Sequence, residues 1–574
     1  MMNQNWTQHL LMVVFSGIVF PAIAYSAAGD IEIRVSSFSE PLADTQGPQL
    51  HEGVDEAIDE SEGLTLNPEK AFGWTQIAGD ENLFRLRIEV EPSLYDAAVF
   101  TIWNCHNRAI GQWSIDLEKS ESVELLAEDR GTYLLTLDGY QNGKCLKRLV
   151  RSVSVTEDLN RSREVWKTDE FFLGICAFPG RYHWSSGGRA TLPVGVTEER
   201  ARELEADLLA RLGFQVVRTD ESMEMGRRSS GEGYQYDFDR MDAAVNAYTS
   251  RGFQLALQVM NSPEWAIAED YVDRTENLWR FPRQEEVQRN YLGALLKRYG
   301  EQTRFVQVFN EPDQVEFWSG TKEEFVNHYQ FSRKEVHQHF SDMPVVNGGY
   351  SLVDLARTRF YISELKALID APAYHSHGTL GKMIGEFSLM KQLHQEAGYE
   401  SPRFINTETG NAAWRVDQER RMGQILPQKA LYCWANGHEG ILMFAGRMTL
   451  GPERSTQDFG LLDFQFCPRF AYGSLAALVG ALEGASYQST LLEEDDIFVY
   501  EFKRGDERII AAFTLNESGS VEISSDAKGA VLIDEMGNSD KREDAGTIKL
   551  SLDGYPRYLV LKQASTVTVR KPTH

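Results

Sequence analysis

Alternating apolar and polar residues predict β-structure in the first third of the chain. Between residues 83 and 90 apolar and charged residues alternate, which is the period of two expected of a strand with one buried face. Further strand candidates at turn-like spacing are 98–103, 133–137 and 149–155. No helical pattern separates them, so the sequence predicts an N-terminal β-sandwich domain over residues 27–158, with an acidic loop near residues 51–63.

From residue 171 short apolar runs alternate with longer helical segments, as parallel strands with crossover helices require. The eight strand candidates are 171–178, 214–219, 253–260, 305–309, 345–348, 373–377, 404–407 and 440–444. The helical stretches between them include 198–212, 238–250, 286–299, 322–339 and 418–436. Eight such alternations in about 315 residues predict a (β/α)8 TIM barrel over residues 170–485.

After the barrel the helical pattern stops and short strands return. The candidates are 498–502, 508–513, 531–533, 548–552 and 558–561. They predict a small β-sandwich domain over residues 486–565. The expected fold class is therefore α/β, with a TIM barrel flanked by an N-terminal and a C-terminal β-sandwich.

Composition supports a folded, soluble protein. Of 574 residues 42% are hydrophobic and 25% are charged, close to the averages for globular domains. The formal net charge of −27 disfavours a nucleic-acid partner, because polyphosphates are repelled. Residues 10–20 form an apolar run followed by small residues, which predicts a signal peptide over 1–26 and a secreted or periplasmic protein with no membrane insertion after signal removal.

Cysteine usage leaves two interpretations open. The five cysteines are Cys105, Cys145, Cys176, Cys433 and Cys467. No pair has the C-x-x-C spacing of a zinc or redox site, so the sequence predicts no metal and no cofactor. Cys105 and Cys145 fall in one predicted β domain and could pair in an oxidising compartment, whereas the other three read as buried thiols. Five unpaired thiols are an equal alternative.

Two glutamates follow the fourth and seventh predicted barrel strands. Glu311 occurs in Asn310-Glu311-Pro312 and Glu408 in a Thr-Glu-Thr-Gly segment. Reactive groups of such barrels lie at the carboxyl ends of the strands, and strands four and seven face each other across the mouth. One carboxylic acid and one carboxylate in this arrangement suit hydrolysis of a glycosidic bond. The alternative is that both are ordinary loop or ion-pairing carboxylates.

Three further motifs accompany the glutamates. Leu-Gly-Phe-Gln-Val-Val-Arg stands at 212–218, Tyr-Asp-Phe-Asp at 236–239 and Ser-Pro-Glu-Trp at 262–265. With Asn310-Glu311 and Glu408 they resemble glycoside hydrolase clan A, and most closely family 39 and related bacterial glycosidases. The resemblance covers roughly residues 171–485.

The resemblance implies a role for each matching residue. It makes Glu311 the acid/base, Glu408 the nucleophile and Asn310 a hydrogen-bond donor to the sugar 2-hydroxyl. It places Arg218 near Glu408, where its charge would hold the carboxylate ionised. The implied reaction is a retaining, double-displacement hydrolysis of a polysaccharide or oligosaccharide.

Two positions depart from the clan pattern. The clan often carries a His-x-Tyr-like segment after strand six, and this chain has His375-Ser376-His377 instead. His377 then replaces the tyrosine, and we expect both histidines in the site, with a purely structural role as the alternative. The frequent strand-eight tryptophan is replaced by Ile-Leu-Met-Phe at 441–444, which changes the expected shape of the sugar subsite.

Aromatic and basic residues in the same loops are further candidates. Sugar rings stack on aromatic faces, and the tryptophans beside the strand ends are Trp184, Trp265, Trp318 and Trp414. We prefer Trp414 and then Trp265 as platforms, with core packing as the alternative. The arginines in these loops are Arg181, Arg283, Arg415 and Arg447. They fit an acidic sugar, although ion pairs with the abundant carboxylates are the favoured interpretation.

Two other functions stay open from the sequence. The altered sixth and eighth strands are compatible with a noncatalytic carbohydrate-binding barrel, although both glutamates argue against it. A transglycosidase would use the same covalent intermediate and pass it to a sugar acceptor. The β domains are expected to support the barrel and its cleft.

Overall fold

A computed structural model describes residues 31–35, 55–57, 63–69, 73–78, 82–118, 121–127, 129–160, 170–178, 192–193, 195–219, 236–260, 264–271, 280–399, 402–447, 458–543 and 546–572. The predicted signal peptide at 1–26 lies outside these residues. So do Trp184 and Arg181.

Ten described strands form the N-terminal unit. They are β1 (Ile31–Val35), β2 (Asp55–Ala57), β3 (Leu64–Pro68), β4 (Thr75–Ile77), β5 (Leu83–Val90), β6 (Ala97–Trp103), β7 (Ala109–Ser114), β8 (Glu121–Ala127), β9 (Gly131–Gln141) and β10 (Lys144–Thr156). One sheet has the order β1-β8-β5-β3, and the other has the order β2-β10-β9-β6-β7 with β4 also paired to β10. Apolar residues of both sheets share one core, as the period of two predicts.

Eight described strands form a parallel sheet at the centre of the molecule. They are β11 (Phe172–Ala177), β12 (Val216–Thr219), β13 (Gln254–Val259), β14 (Thr303–Val308), β15 (Val345–Val346), β16 (Ala373–His377), β17 (Ile405–Gly410) and β18 (Gly440–Phe444). Their order is β15-β14-β13-β12-β11-β18-β17-β16. A parallel bridge between Tyr350 and Tyr374 joins the two ends of this order, so the sheet closes into a barrel.

Eight described helices surround this barrel. They are α1 (Glu198–Arg211), α2 (Asp239–Thr249), α3 (Glu285–Tyr299), α4 (Lys322–His339), α5 (Leu355–Leu365), α6 (Leu380–Glu396), α7 (Val416–Ala435) and α8 (Phe470–Leu482). Every residue of β11 is buried, because a parallel strand has barrel core on one face and helices on the other. None of the described helices combines the length and the hydropathy that a membrane span requires.

Nine described strands form the C-terminal unit. They are β19 (Ser486–Glu494), β20 (Ile497–Arg504), β21 (Glu507–Thr514), β22 (Gly519–Ser525), β23 (Ala530–Ile533), β24 (Ser539–Arg542), β25 (Thr547–Leu552), β26 (Arg557–Lys562) and β27 (Val567–Arg570). The two sheets have the orders β19-β20-β21-β26-β23-β24 and β25-β22-β27. An apolar core lies between them, so the predicted fold class, a TIM barrel with β-sandwiches on both sides, is confirmed.

The three units meet in one small apolar cluster. It contains Trp103, Cys105, Leu134, Val150, Val416, Phe470, Met536 and Tyr555. The first four come from the N-terminal unit, the next two from α7 and α8, and the last two from the C-terminal unit. The Tyr555 hydroxyl also donates to the Cys105 carbonyl at 3.1 Å. All five cysteines are buried free thiols, so Cys105 and Cys145 do not pair in this structure.

Candidate active site

Four parallel strands bring the predicted site residues to one end of the barrel. Asn310 and Glu311 follow β14, Arg218 lies in β12, and His375 and His377 lie in β16. Glu408 lies inside β17, which extends to Gly410, and not in a loop after residue 407 as the sequence suggested. His375 and Glu408 are register partners in the β16–β17 pair.

The two glutamates share one opening. A carboxylate oxygen of Glu311 lies within 4.8 Å of one of Glu408. Glu311 is 8% and Glu408 9% exposed, so both are largely shielded from bulk water. Their separation is the one in which a single sugar carbon and its leaving oxygen fit between the carboxyl groups.

One arginine and two histidines surround the Glu408 carboxylate. Arg218 Nη2 donates to its Oε2, His377 Nε2 lies 3.0 Å from its Oε1, and His375 Nδ1 lies 3.7 Å from Oε2. Burial raises the pKa of Glu408, but the charges of His375 and Arg218 and the His377 hydrogen bond outweigh it and hold the pKa well below its usual range. Glu408 is therefore a carboxylate at neutral pH.

Glu311 has a different environment. His375 Nδ1 lies 2.7 Å from its Oε1, and Gln314 Nε2 donates to its Oε2 at 2.5 Å. The backbone of Glu311 has a φ of +40°, which is unfavourable for a residue with a Cβ. Its N–H donates to the Gly348 carbonyl at 2.9 Å, and this bond holds the turn that aims the side chain at His375.

His375 lies between the two glutamates and connects them. Its Nε2 lies 3.4 Å from Arg218 Nη1 and 3.2 Å from Thr407 Oγ1. Because a guanidinium has only donors, Nε2 accepts from Arg218 whenever the ring is neutral, and Nδ1 then carries the proton toward Glu311. Gly349 makes room for the ring, since a Cβ there would lie 2.1 Å from Nε2.

Asn310 and His377 are each oriented by neighbours. Gln258 Nε2 donates to Asn310 Oδ1 at 3.0 Å, which turns the Asn310 NH2 group away from Gln258. The His377 ring lies 5.3 Å from the Phe444 ring and 5.1 Å from the Phe459 ring. Phe444 is the last residue of β18, so this strand places an aromatic ring against His377.

Sequence reasoning missed four residues that contact this site. They are Gln258, Gln314, Thr407 and Gly349. Each acts through a contact with a residue on another segment or on the next turn, which local hydropathy does not encode. Gln314 is the exception, because its spacing of three from Glu311 is a helical-turn signal.

The structure distinguishes between the tryptophans that were predicted to stack on sugar rings. Trp318 is fully buried and its Nε1 donates to the Thr321 carbonyl at 2.9 Å, so the proposed platform role for Trp318 is wrong and it is a core residue. Trp265 lies in a short helical turn, Glu264–Ala266, and packs half-buried against the barrel core. Trp414 is half-buried in the segment between β17 and α7. The stacking role of these two stays a prediction.

The contacts of the described loop arginines favour a role inside the protein over the binding of an acidic sugar. Arg283 is 4% exposed and donates to the Met260 carbonyl at 2.5 Å. Arg447 is 1% exposed and lies over the Phe466 ring at 4.3 Å. Arg415 is exposed and pairs with Asp417 at 3.4 Å. Each therefore has a protein partner.

Two groups of described side chains have the spacing that a metal ion requires. One is Glu311, His375 and Glu408, and the other is Cys105, His106 and Glu535. An arginine already pairs with a carboxylate in each, Arg218 with Glu408 and Arg557 with Glu535. A cation there would face a guanidinium, so neither group fits a metal centre.

No protein-family model matches the sequence, and no curated protein matches it. The structure is similar to that of a family 39 glycoside hydrolase from the gut symbiont Bacteroides cellulosilyticus WH2, with a TM-score of 0.58 and 15% identity over 87% of this chain and 100% of that chain. A monomeric β-xylosidase from Caulobacter crescentus CB15 aligns with a TM-score of 0.49 and 13% identity over 71% of this chain and 97% of its own. A family 39 β-xylosidase from Caulobacter crescentus aligns with a TM-score of 0.49 and 14% identity over 70% and 96%.

The first of these likenesses concerns the fold. It spans the barrel and most of the flanking β-structure, since it covers 87% of this chain. The resemblance to family 39 that the sequence motifs predicted is therefore confirmed at the level of the fold. The chemistry rests on the side chains of the site itself.

Proposed function

We propose that this protein is a retaining glycoside hydrolase that cleaves O-glycosidic bonds with Glu311 as acid/base and Glu408 as nucleophile. The observation that carries the proposal is that the two carboxyl groups are buried and that an oxygen of one lies within 4.8 Å of an oxygen of the other. Retaining glycosidases hold their carboxyl groups about 5 Å apart, whereas inverting enzymes need roughly 6.5 to 9.5 Å to admit a water. The distance favours a covalent intermediate over direct attack by water.

In the first step Glu408 attacks the anomeric carbon and Glu311 gives a proton to the leaving oxygen. Arg218 and His377 keep Glu408 ionised and oriented, so no proton has to leave the nucleophile before attack. Because Gln258 donates to Asn310 Oδ1, the Asn310 NH2 group is the part of the side chain that would donate to a sugar hydroxyl. A glycosyl-Glu408 ester and a free alcohol result.

In the second step water attacks the ester, and the Glu311 carboxylate accepts its proton. Donors on both oxygens of Glu311, from His375 and Gln314, stabilise the carboxylate that this step requires. Glu408 leaves as a carboxylate between Arg218 and His377. The cycle returns both groups to their initial state.

The test is a panel of 4-nitrophenyl α- and β-glycosides of pentoses, hexoses, 6-deoxyhexoses and uronic acids. We expect wild-type protein to release nitrophenol from at least one sugar, and Glu311→Gln and Glu408→Gln to lose at least about 10³-fold in kcat. Glu494→Gln, a side chain that is 60% exposed in the C-terminal unit, is the matched control and should keep full activity. Full turnover by Glu408→Gln would overturn the assignment.

The same panel separates the two alternatives. Binding of a sugar without turnover would identify a noncatalytic carbohydrate-binding barrel. Product analysis with excess sugar acceptor would identify a transglycosidase, because the glycosyl group would appear on the acceptor and not as free reducing sugar. Free sugar as the main product supports hydrolysis.

We propose that the protein is exported after removal of residues 1–26. The support is the apolar run at residues 10–20 followed by small residues. Expression of the full chain in a secreting bacterial host, followed by N-terminal sequencing of the exported protein, should give a start near residue 27. An intact N-terminus on cytoplasmic protein would contradict export.

A further inference from the structure

Exposed apolar side chains lie on the loop after β14, which carries Glu311, and on the loop after β15 together with the first residue of α5. Val315 is 52%, Val353 70% and Leu355 38% exposed. They are three of the six large exposed hydrophobic side chains among the described residues. The other three belong to the N-terminal unit: Leu94, Ile110 and Leu146. Exposed apolar groups gathered at one place mark a binding surface more often than scattered ones do.

The two loops are fastened to each other. Asp313, in the loop after β14, is fully buried and accepts hydrogen bonds from the N–H groups of Ser351 and Leu352, at 3.1 and 2.8 Å. Arg357 Nη1 donates to the Trp318 carbonyl at 3.1 Å. These bonds hold the two loops as one rigid wall, so the exposure of Val353 is a property of the fold.

This wall begins at the acid/base. Val315 directly follows Gln314, whose amide donates to Glu311 Oε2 at 2.5 Å. Consecutive Cα atoms are about 3.8 Å apart, so Val315 stands next to the group that holds Glu311. The leaving oxygen takes its proton from Glu311, and the nucleophile attacks from the side of β17. A leaving group on the Glu311 side of the sugar is therefore next to the loop that carries Val315, and hydrogen bonds join that loop to the segment that carries Val353 and Leu355.

We infer that this wall is a subsite for an apolar leaving group, so that the preferred substrate is a glycoside of a hydrophobic alcohol or phenol. The inference rests on the proposed glycosidase function, and it replaces the polysaccharide or oligosaccharide substrate that the sequence suggested with a glycoside of an apolar group. Aliphatic side chains offer no hydrogen bonds to sugar hydroxyls, and Trp318, the tryptophan of this loop, is fully buried and unavailable for stacking on a sugar. Glu316, exposed between Val315 and Phe317, opposes an anionic leaving group.

The bonds and protons of the reaction balance when the leaving group is an apolar alcohol or phenol. The bond between the anomeric carbon and the glycosidic oxygen breaks, and the proton of Glu311 passes to that oxygen to give the free alcohol. Water later supplies the hydroxyl of the sugar and restores the proton of Glu311. No oxidant, reductant or metal is needed.

The test uses the full chain and glycosides of one sugar, the one that the nitrophenyl panel identifies. The leaving groups are methanol, n-octanol and a second sugar. We expect KM for the octyl glycoside to be on the order of tenfold below that for the methyl glycoside. In the double variant Val315→Ser/Val353→Ser the ratio of the methyl-glycoside KM to the octyl-glycoside KM should fall severalfold. Leu94→Ser, a 42% exposed leucine of the N-terminal unit, is the matched control and should retain the preference.

Each other result has a defined meaning. Hydrolysis with equal KM for octyl and methyl glycosides, or a preference for the disaccharide, would overturn this inference and leave the glycosidase function intact. An octyl preference that survives in the double variant would place the apolar subsite elsewhere and equally overturn it. No hydrolysis of any glycoside would overturn the proposed function, and this inference with it.

Discussion

His375 has one nitrogen facing Glu311 and the other facing Arg218, so the two glutamates are joined through a single ring. Nδ1 lies 2.7 Å from Glu311 Oε1 and 3.7 Å from Glu408 Oε2. When Glu408 loses its charge during the reaction, the change therefore takes place next to His375, the residue that also contacts Glu311. At the residue scale the site depends on the exact place of this ring.

Gly349 tests that dependence. It has a φ of +73°, and a Cβ there would lie 2.1 Å from His375 Nε2 and 2.8 Å from Thr407 Oγ1. Gly349→Ala should lower kcat by at least about tenfold and destabilise the fold by about 1 kcal/mol or more, measured by nitrophenol release and thermal melting. Gly398→Ala has a similar φ of +74° and nothing within 4 Å, so it should lose stability and keep activity. Equal activity in both variants would contradict a role for the ring position.

Arg218 sets the acid limb of the pH profile. Its charge lowers the pKa of Glu408, so removing the charge raises that pKa and protonates the nucleophile at higher pH. In Arg218→Met the acidic limb of kcat/KM should move upward by about one pH unit or more, measured on an aryl glycoside between pH 3 and 8. The exposed Arg415, changed to Met, should leave the limb in place. An unmoved limb in Arg218→Met would show that Arg218 does not control the ionisation of Glu408.

At the element scale α7 supports the strands of the site from behind. Lys429 of α7 donates to the Ser376 carbonyl and Thr409 Oγ1, both at 2.9 Å, and to the Gly410 carbonyl at 3.4 Å. These groups flank His377 and Glu408 at the ends of β16 and β17. Burial lowers the pKa of Lys429 from 10.5 to about 7, so the folded protein releases this proton at a lower pH than the unfolded chain does.

This lowered pKa predicts a pH-dependent stability. Between pH 7 and 10.5 the unfolded chain binds the proton and the folded protein releases it, so the contribution of Lys429 to stability rises with pH through that window. The Tm of the wild type minus the Tm of Lys429→Met should therefore increase from pH 7 to pH 10. Lys503→Met, an exposed lysine of β20, should show no such trend. A constant difference for Lys429→Met would place the amine in the charged form throughout.

The strands also mark where sequence pattern succeeds and where it fails. Strands β16 and β18 have the predicted bounds, and in each of them every residue but the last is buried. β17 continues three residues past the prediction, since its polar Thr-Glu-Thr-Gly segment is stabilised by Lys429 and by the Gly378 N–H bond to the Gly410 carbonyl at 2.8 Å. β15 has only two residues and not four, because the Asn347 side chain bonds the backbone of Ala373 in place of a backbone partner.

At the scale of the whole molecule the architecture was predictable and the junction between units was not. The change of period from two to helical and back to two places the three units along the chain. Contacts between units join residues more than 400 positions apart, such as His106 and Glu535. Nothing local to Cys105 or His106 in the sequence signals those partners.

His106 predicts how that junction responds to pH. Its Nε2 lies 2.5 Å from Glu535 Oε1 and its Nδ1 3.0 Å from Asp553 Oδ2. Burial lowers the pKa of His106, but the bonds to Asp553 and Cys105 outweigh it and raise the pKa from 6.5 to about 9.

A histidine with a raised pKa stabilises the fold fully below pH 6.5 and loses that contribution as pH rises through 9. The advantage in thermal stability of wild type over His106→Gln should therefore be on the order of 3 kcal/mol at pH 6 and nearly vanish above pH 9. His339→Gln, on the surface of α4, serves as control. A wild-type advantage that persists at pH 10 would contradict an ionic junction.

The central claim is that Glu408 forms a covalent bond to the sugar. The most direct measurement is intact-mass and peptide mass spectrometry after incubation with a 2-deoxy-2-fluoro glycoside of the preferred sugar carrying a good leaving group, which slows hydrolysis of the ester. We predict one glycosyl adduct per chain, on the peptide that contains Glu408, and no adduct in Glu408→Gln. An adduct on another residue, or complete turnover with inverted configuration and no adduct, would contradict the account.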